Sequence, residues 1–93
     1  MVDVSFSIIE CDNGPKIFLE LMNEYHSSQS TSFKLRLYDQ STKKTQEIEI
    51  SNYYLKLGAF CHPTCDQDQF TDLIFDVKEG MNPMYITGEV EFH

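Results

Sequence analysis

Basic residues are scarce in this chain, and their scarcity argues against several classes of function. Its 93 residues include 7 Lys and Arg against 15 Asp and Glu, which gives a formal net charge of −8 at pH 7. Proteins that bind nucleic acids need a basic surface to displace the counterions of the phosphates, so direct binding of DNA or RNA is not expected. An acidic surface is also repelled by anionic membranes.

Long apolar runs and targeting signals are missing as well. No segment of the sequence approaches the ~20 consecutive apolar residues that a transmembrane helix needs. The first residues, MVDVSFSIIECD, have neither the basic region nor the apolar region of a signal peptide. The sequence therefore predicts a cytoplasmic protein that does not act at a membrane.

Cysteine is rare, with Cys11, Cys61 and Cys65 as the whole set. An odd number fits a disulfide scaffold poorly, and it suits a reducing compartment. The CHPTC segment could form a redox pair or one corner of a metal site, but no second Cys/His cluster completes a zinc site. We expect free thiols, with a disulfide or a metal site as the open alternatives.

Motifs of catalysis are not present. The three histidines lie in polar or terminal contexts, and the chain has no nucleophile elbow and no glycine-rich phosphate loop. The spacing of Asp66, Asp68 and Asp72 resembles a calcium loop, but Thr71 and Val77 occupy the positions where an EF-hand needs Gly and Glu. The sequence predicts no enzyme, no cofactor and no metal site.

Alternation of apolar and polar residues predicts strands along most of the chain. Residues 16–26 fit either a helix or a strand, and a strand is favoured because an Asn-Gly turn precedes them. No repeat or linker divides the sequence, so residues 1–93 are expected to form a single domain. Its predicted class is mainly β: an antiparallel β-sandwich or strongly curled sheet of six to seven strands, with at most one short helix. The predicted strands include residues 2–11, 33–38, 45–50, 71–77 and 84–92.

The segments 33–38 (FKLRLY) and 45–50 (TQEIEI) are the clearest strand pair. Lys34 and Arg36 alternate with apolar residues on the first, and Glu47 and Glu49 do so on the second. Opposite charges that face each other across an antiparallel pair stabilise it, so these glutamates are expected to be balanced locally.

Acidic residues are concentrated in the last third of the chain. Residues 66–93 contain seven acids and one base, a net charge of −6, while the preceding 65 residues have a net charge of −2. If residues 72–77 and 84–92 pair as a hairpin, Asp72, Asp76, Glu89 and Glu91 share an outer face with almost no cation opposite. Like charges across strands are unfavourable, so this predicts a docking patch for a basic partner, with a solubility face as the alternative.

The order of elements is similar to that of β-rich immunity proteins of bacterial polymorphic toxin systems, including contact-dependent growth inhibition. The similarity extends over SFSIIE, PKIFLEL, a loop, FKLRLYD, QEIEI, DLIFDV and a final strand. The resemblance implies one-to-one binding of a cognate protein toxin. Many such toxins are nucleases with a basic cleft, which an acidic immunity protein blocks directly or locks from a distance.

The acidic end and this resemblance together predict a partner-binding surface. Tyr85 is the preferred aromatic anchor, with Tyr53 and Tyr54 as second choices. Two alternative functions stay open, a nucleic-acid-mimicking inhibitor of a nuclease and a calcium-dependent β-sandwich binding module. The predicted partner-binding residues are Asp66, Asp68, Asp72, Asp76, Tyr85, Glu89 and Glu91.

Overall fold

Seven strands in two antiparallel sheets make up the computed structural model, which describes residues 2–66 and 69–93. The predicted mainly β class is therefore confirmed. In the described residues the helical segments are two 3-10 turns of three residues each, and none is long and apolar enough to cross a membrane. The strands are β1 (Val2–Cys11), β2 (Gly14–Asn23), β3 (Gln29–Asp39), β4 (Thr45–Leu55), β5 (Phe60–Cys61), β6 (Ile74–Asp76) and β7 (Ile86–Phe92).

The chain groups into two compact units. The first unit comprises Met1–Gln29 and Leu55–Val77, and the second comprises Ser30–Tyr54 and Lys78–His93. One sheet has the order β1-β2-β5, with β6 also paired to β2, and the other has the order β4-β3-β7. Organisation as a single domain stays a prediction.

The β1–β2 hairpin forms most of the first sheet. All ten residues of β1 pair in one antiparallel register with β2, which confirms the strand favoured for the segment after Pro15. Because side chains alternate across a strand, every second residue of β2 faces the core and is fully buried, while its β1 partner at the sheet edge is half-buried. These pairs are Val4 with Leu21, Phe6 with Leu19 and Ile8 with Ile17.

Asn23 ends β2 with a buried hydrogen-bond cluster. Its carboxamide nitrogen donates to the carbonyl oxygens of Ser27 at 3.0 Å, Leu55 at 3.2 Å and Lys56 at 3.0 Å. Its carboxamide oxygen accepts from the backbone N–H of Tyr25 at 3.0 Å. Asn23 is 2 % exposed, so these bonds replace the hydrogen bonds to water that its polar atoms lose on burial.

β3 is the central strand of the second sheet. Phe33, Leu35 and Leu37 lie on its inner face and are at most 1 % exposed. β3 is hydrogen-bonded to β4, as predicted for the clearest pair, and to β7 on its other side. The strand begins at Gln29, four residues before the start predicted at residue 33.

Asp39 ties the end of β3 to two neighbouring segments. Its fully buried carboxylate accepts five hydrogen bonds, from the N–H and hydroxyl groups of Ser41 and Thr42 and from the N–H of Asn82 at 2.6 Å. Burial by itself raises the pKa of this carboxyl, but the hydrogen bonds outweigh burial and hold the pKa of Asp39 well below its ordinary range. The ionised carboxylate therefore stabilises the folded chain.

Substitution Asp39→Asn is expected to lower stability at pH 7 and to remove part of its pH dependence. Because the folded pKa is depressed, the carboxylate stabilises the fold above its unfolded pKa of about 3.9, and that stability is lost as the pH falls further. Urea unfolding of both proteins at pH 7 and below pH 4 measures this. The difference in the free energy of unfolding between wild type and variant should be smaller at the lower pH. An equal difference at both pH values would contradict a depressed pKa of Asp39.

A 3-10 turn at Pro83–Tyr85 changes which residues of the last segment face inward. Asn82 caps this turn by accepting from the N–H of Met84 at 3.1 Å. The alternation of residues 84–92 predicts Met84 on the inner face, but it is 87 % exposed, so that prediction is wrong. The strand begins only at Ile86, because Pro83 and the Asn82 cap favour a turn before it.

Candidate functional site

The predicted hairpin between residues 72–77 and 84–92 is wrong. β6 pairs with β2, opposite Lys16, Ile17 and Phe18, and β7 pairs with β3. The two segments thus belong to different sheets and different units. Alternation shows which face of a strand is apolar, but it does not determine which strand lies beside it. That depends on contacts between residues that are far apart in the sequence.

Glu89 and Glu91 have cations opposite them, contrary to expectation. The register places Arg36 across from Glu89 and Lys34 across from Glu91. Arg36 Nη2 lies 3.2 Å from Glu91 Oε2, and Glu47 lies 3.7 Å from both Lys34 and Arg36. This outer face of the second sheet is a mixed-charge network of ion pairs. The predicted local balance is confirmed for Glu47, whereas Glu49 lies 3.2 Å from His93 Nε2 rather than beside Lys34 or Arg36.

The aspartates of the predicted surface lie in the first unit. Asp76 forms an ion pair with Lys16, its partner across the β2–β6 register. Asp72 lies in the 3-10 turn Thr71–Leu73, and its charge acts on Cys61. Asp66 is exposed in a turn, and Asp68 lies outside the described residues.

The predicted tyrosine anchors differ in exposure. Tyr85 is 54 % exposed in the 3-10 turn before β7, and its carbonyl oxygen accepts from the N–H of Gln40 at 3.0 Å. Tyr54 is 60 % exposed on β4, whereas Tyr53 is only half-exposed. All three belong to the second unit.

The negative charge of the chain is concentrated in the first unit. That unit contains nine Asp and Glu against two Lys, a net charge of −7. The second unit contains six acids and five bases, a net charge of −1. The asymmetry follows the fold rather than the sequence order, because residues 1–29 and 55–77 come together.

Three acids that the sequence reading did not single out lie on β1 and the turn after it. Asp3, Glu10 and Asp12 are exposed, and β1 contains neither Lys nor Arg. Within the described residues no ion pair engages any of the three. The nearest cation along the hairpin, Lys16, is bound to Asp76. Local net charge in the first twelve residues would have been a signal for them.

A shallow depression lies on the outer face of the same hairpin. Its volume is about 260 Å³, and apolar side chains of Ile9, Phe18 and Pro63 contribute to its lining. At its rim His62 Nδ1 lies 3.5 Å from the carboxylate of Glu20. An acidic surface beside an apolar depression of this size suits one side chain of a protein partner better than a small-molecule substrate.

A disulfide joins Cys11 and Cys65, with their Cα atoms 5.7 Å apart. The expectation of free thiols is therefore wrong for these two cysteines and right for Cys61. The sequence drew attention to Cys61 and Cys65 because they are close neighbours. The fold instead brings Cys65 to the end of β1, 54 residues away.

Cys61 is expected to be chemically inert in the folded chain. Burial raises the pKa of its thiol, and the negative charge of Asp72 raises the pKa further. Because the thiolate is the reactive form, an alkylating reagent at pH 8 should modify Cys61 at least about 10-fold more slowly than in urea. Mass spectrometry over time measures this, and equal rates would show that the thiol is accessible.

A metal ion needs several ligands that converge on one point. In the part of the chain that the structure describes, no three His, Cys, Asp or Glu side chains lie close enough to hold a metal ion. The calcium-loop hypothesis for Asp66, Asp68 and Asp72 falls partly outside the described residues, because Asp68 does.

Comparisons with known protein families, curated proteins and solved structures found no match. Functional conclusions therefore depend on the residues and geometry described above.

Proposed function

We propose that this chain is an immunity protein that binds and neutralises a cognate toxin domain, a basic nuclease, in the cytoplasm. The observation that carries the proposal is the net charge of −7 in the first unit, together with the acids of β1, which no ion pair engages in the described part of the chain. A surface of one sign on a small protein steers a partner of the opposite sign and raises its association rate.

The acidic surface would compete with the nuclease's own substrate. Carboxylates present negative charge to the same lysines and arginines that bind phosphates, so an occupied cleft no longer accepts nucleic acid. Affinity would come from a few buried contacts rather than from exposed charges at the rim. The depression beside Ile9 and Phe18 is suited to one such contact, an apolar side chain of the toxin.

The predicted partner-binding residues contribute unequally in this proposal. Asp66, Asp72 and Asp76 belong to the acidic first unit and act together with the acids of β1. Glu89 and Glu91 lie opposite Arg36 and Lys34, which reduces the charge they offer to a partner. Tyr85 is exposed too, but it belongs to the second unit, so its predicted role as an aromatic anchor is separate from the docking of the acidic first unit.

Growth of bacteria that express the product of the adjacent gene tests the proposal. Co-expression of this chain should restore growth, and the two purified proteins should form a one-to-one complex. Association measured by stopped flow should slow strongly with added salt, while dissociation changes little. Failure to rescue growth, or an association rate that does not depend on ionic strength, would refute the proposal.

A further inference from the structure

β1 is an open edge of the first sheet. Among the described strands it pairs with β2 alone, over ten residues in one unbroken register. Edge strands in natural proteins are usually short, or carry lysine, proline or a bulge that prevents another strand from pairing. The stretch from Val4 to Ile9 has no charge and no proline, so the middle of β1 lacks these protections.

Pro15 identifies which backbone groups of β1 point away from β2. It pairs with Glu10, and because proline has no N–H, that pair cannot exchange hydrogen bonds. Bonded and non-bonded pairs alternate along an antiparallel ladder, so Val4, Phe6 and Ile8 also direct their N–H and C=O groups outward. No backbone or side-chain hydrogen bond of the described chain engages these outward groups.

The side chains of the same three residues are also incompletely covered. Val4, Phe6 and Ile8 are half-buried, although their cross-strand partners in β2 are fully buried. A further strand alongside β1 would cover them and would satisfy the outward backbone groups in the same step.

The edges of the second sheet are less suited to strand addition. β4 carries glutamates at alternate positions, and Asn52 interrupts its extended backbone with a φ of 53°. β7 contains Gly88 between its outward-facing residues and carries two glutamates. Charges and irregular backbone are devices that protect an edge. Among the described edge strands of more than three residues, β1 is therefore the one best suited to pair with a partner strand.

The charges around β1 select the partner. Asp3 lies near one end of the edge, and Glu10 and Asp12 lie near the other. In an antiparallel pair of β1 strands from two copies of this chain, the outward-facing residues must meet, for example with Phe6 opposite Phe6 and Val4 opposite Ile8. That register places Asp3 of one copy at the end where Glu10 and Asp12 of the other lie. Like charges gathered at both ends repel, whereas a partner segment with Lys or Arg at its ends would be attracted.

We infer that the β1 edge accepts an extended segment of the partner protein as an additional antiparallel strand, with apolar residues at alternate positions and basic residues at its ends. The inference depends on the proposed function for the identity of that partner. Backbone hydrogen bonds to Val4, Phe6 and Ile8 would provide the docking, and the acids at the two ends would select for a basic segment.

A capped peptide with the sequence Lys-Val-Thr-Val-Thr-Val-Lys tests the inference without the toxin. In the free protein, amide hydrogen exchange should be fast at Val4, Phe6 and Ile8 and slow at Ser5, Ser7 and Ile9. The peptide should slow exchange at the outward amides, and the same peptide with Glu in place of both Lys should bind at least about 10-fold more weakly. Slow outward amides in the free chain, equal binding of both peptides, or protection elsewhere would each overturn the inference.

A proline variant separates the edge from the side chain. Val4→Pro removes an outward N–H but no bond to β2, so the fold should persist, and peptide affinity should fall at least about fivefold. Val4→Ile keeps the N–H and the apolar, β-branched side chain, and its affinity should stay within about twofold. Ile8→Pro gives a second test if Val4→Pro does not fold. Peptide binding without toxin binding would leave this inference standing and refute only the proposed function.

Discussion

Removal of the Cys11–Cys65 disulfide is expected to lower the free energy of unfolding by about 2 to 4 kcal/mol. The bond closes a loop of 54 residues between the end of β1 and the segment before the 3-10 turn. Its loss restores conformational freedom to the unfolded chain, which stabilises the unfolded state. For a domain of this length the melting temperature should fall by roughly 10 to 25 °C. Calorimetry with and without reductant measures the change.

A double variant, Cys11→Ser with Cys65→Ser, is the control for the effect of the reductant itself. Its melting temperature should resemble that of the reduced wild type, and reductant should not lower it further. A reduced wild type as stable as the oxidised protein would show that the disulfide contributes nothing. Alkylation in intact cells also tests the compartment, because a cytoplasmic chain should contain Cys11 and Cys65 largely as thiols.

Neutralising the acids of the β1 hairpin is expected to slow association with the toxin about 10-fold at low salt. The variant Asp3→Asn, Glu10→Gln and Asp12→Asn removes three negative charges from a unit whose net charge is −7. The three side chains are exposed and lack ion pairs in the described chain, so the fold should be unaffected. Stopped-flow association, with circular dichroism as a check on the fold, measures the result.

A matched control removes the same charge from the second unit. Glu47→Gln, Glu49→Gln and Glu79→Gln give the same change in net charge, and all three residues are exposed. Association should slow by less than about threefold, because charges outside the docking surface act through a screened field. Equal slowing by both triple variants would mean that net charge, rather than the position of the acids, governs encounter.

Local patterns in the sequence were sufficient to predict the strands but not their partners. β1 and the β3–β4 pair were predicted because period-two alternation and cross-strand charges are short-range signals. The pairing of β6 with β2 was not predicted, because a strand of three residues is too short for its alternation to specify a neighbouring strand. The disulfide was missed for the same reason, since only the folded chain brings Cys65 to Cys11.

The predicted acidic surface shows the same limit. Counting charges along residues 66–93 identified a real excess, but the fold divides those residues between two units and places Arg36 near Glu91. The first 65 residues, which include Asp3, Glu10 and Asp12, have a net charge of only −2. Their proposed role depends on the fold, which makes β1 an open edge within the more acidic unit.

Residue-resolved hydrogen exchange of the chain bound to the toxin tests the central claim most directly. If the acidic first unit docks through β1, toxin binding should slow exchange at Val4, Phe6 and Ile8 and leave the amides of β7 unchanged. Protection confined to Ile86–Phe92, with the β1 amides still exchanging as fast as in the unbound chain, would contradict the claim.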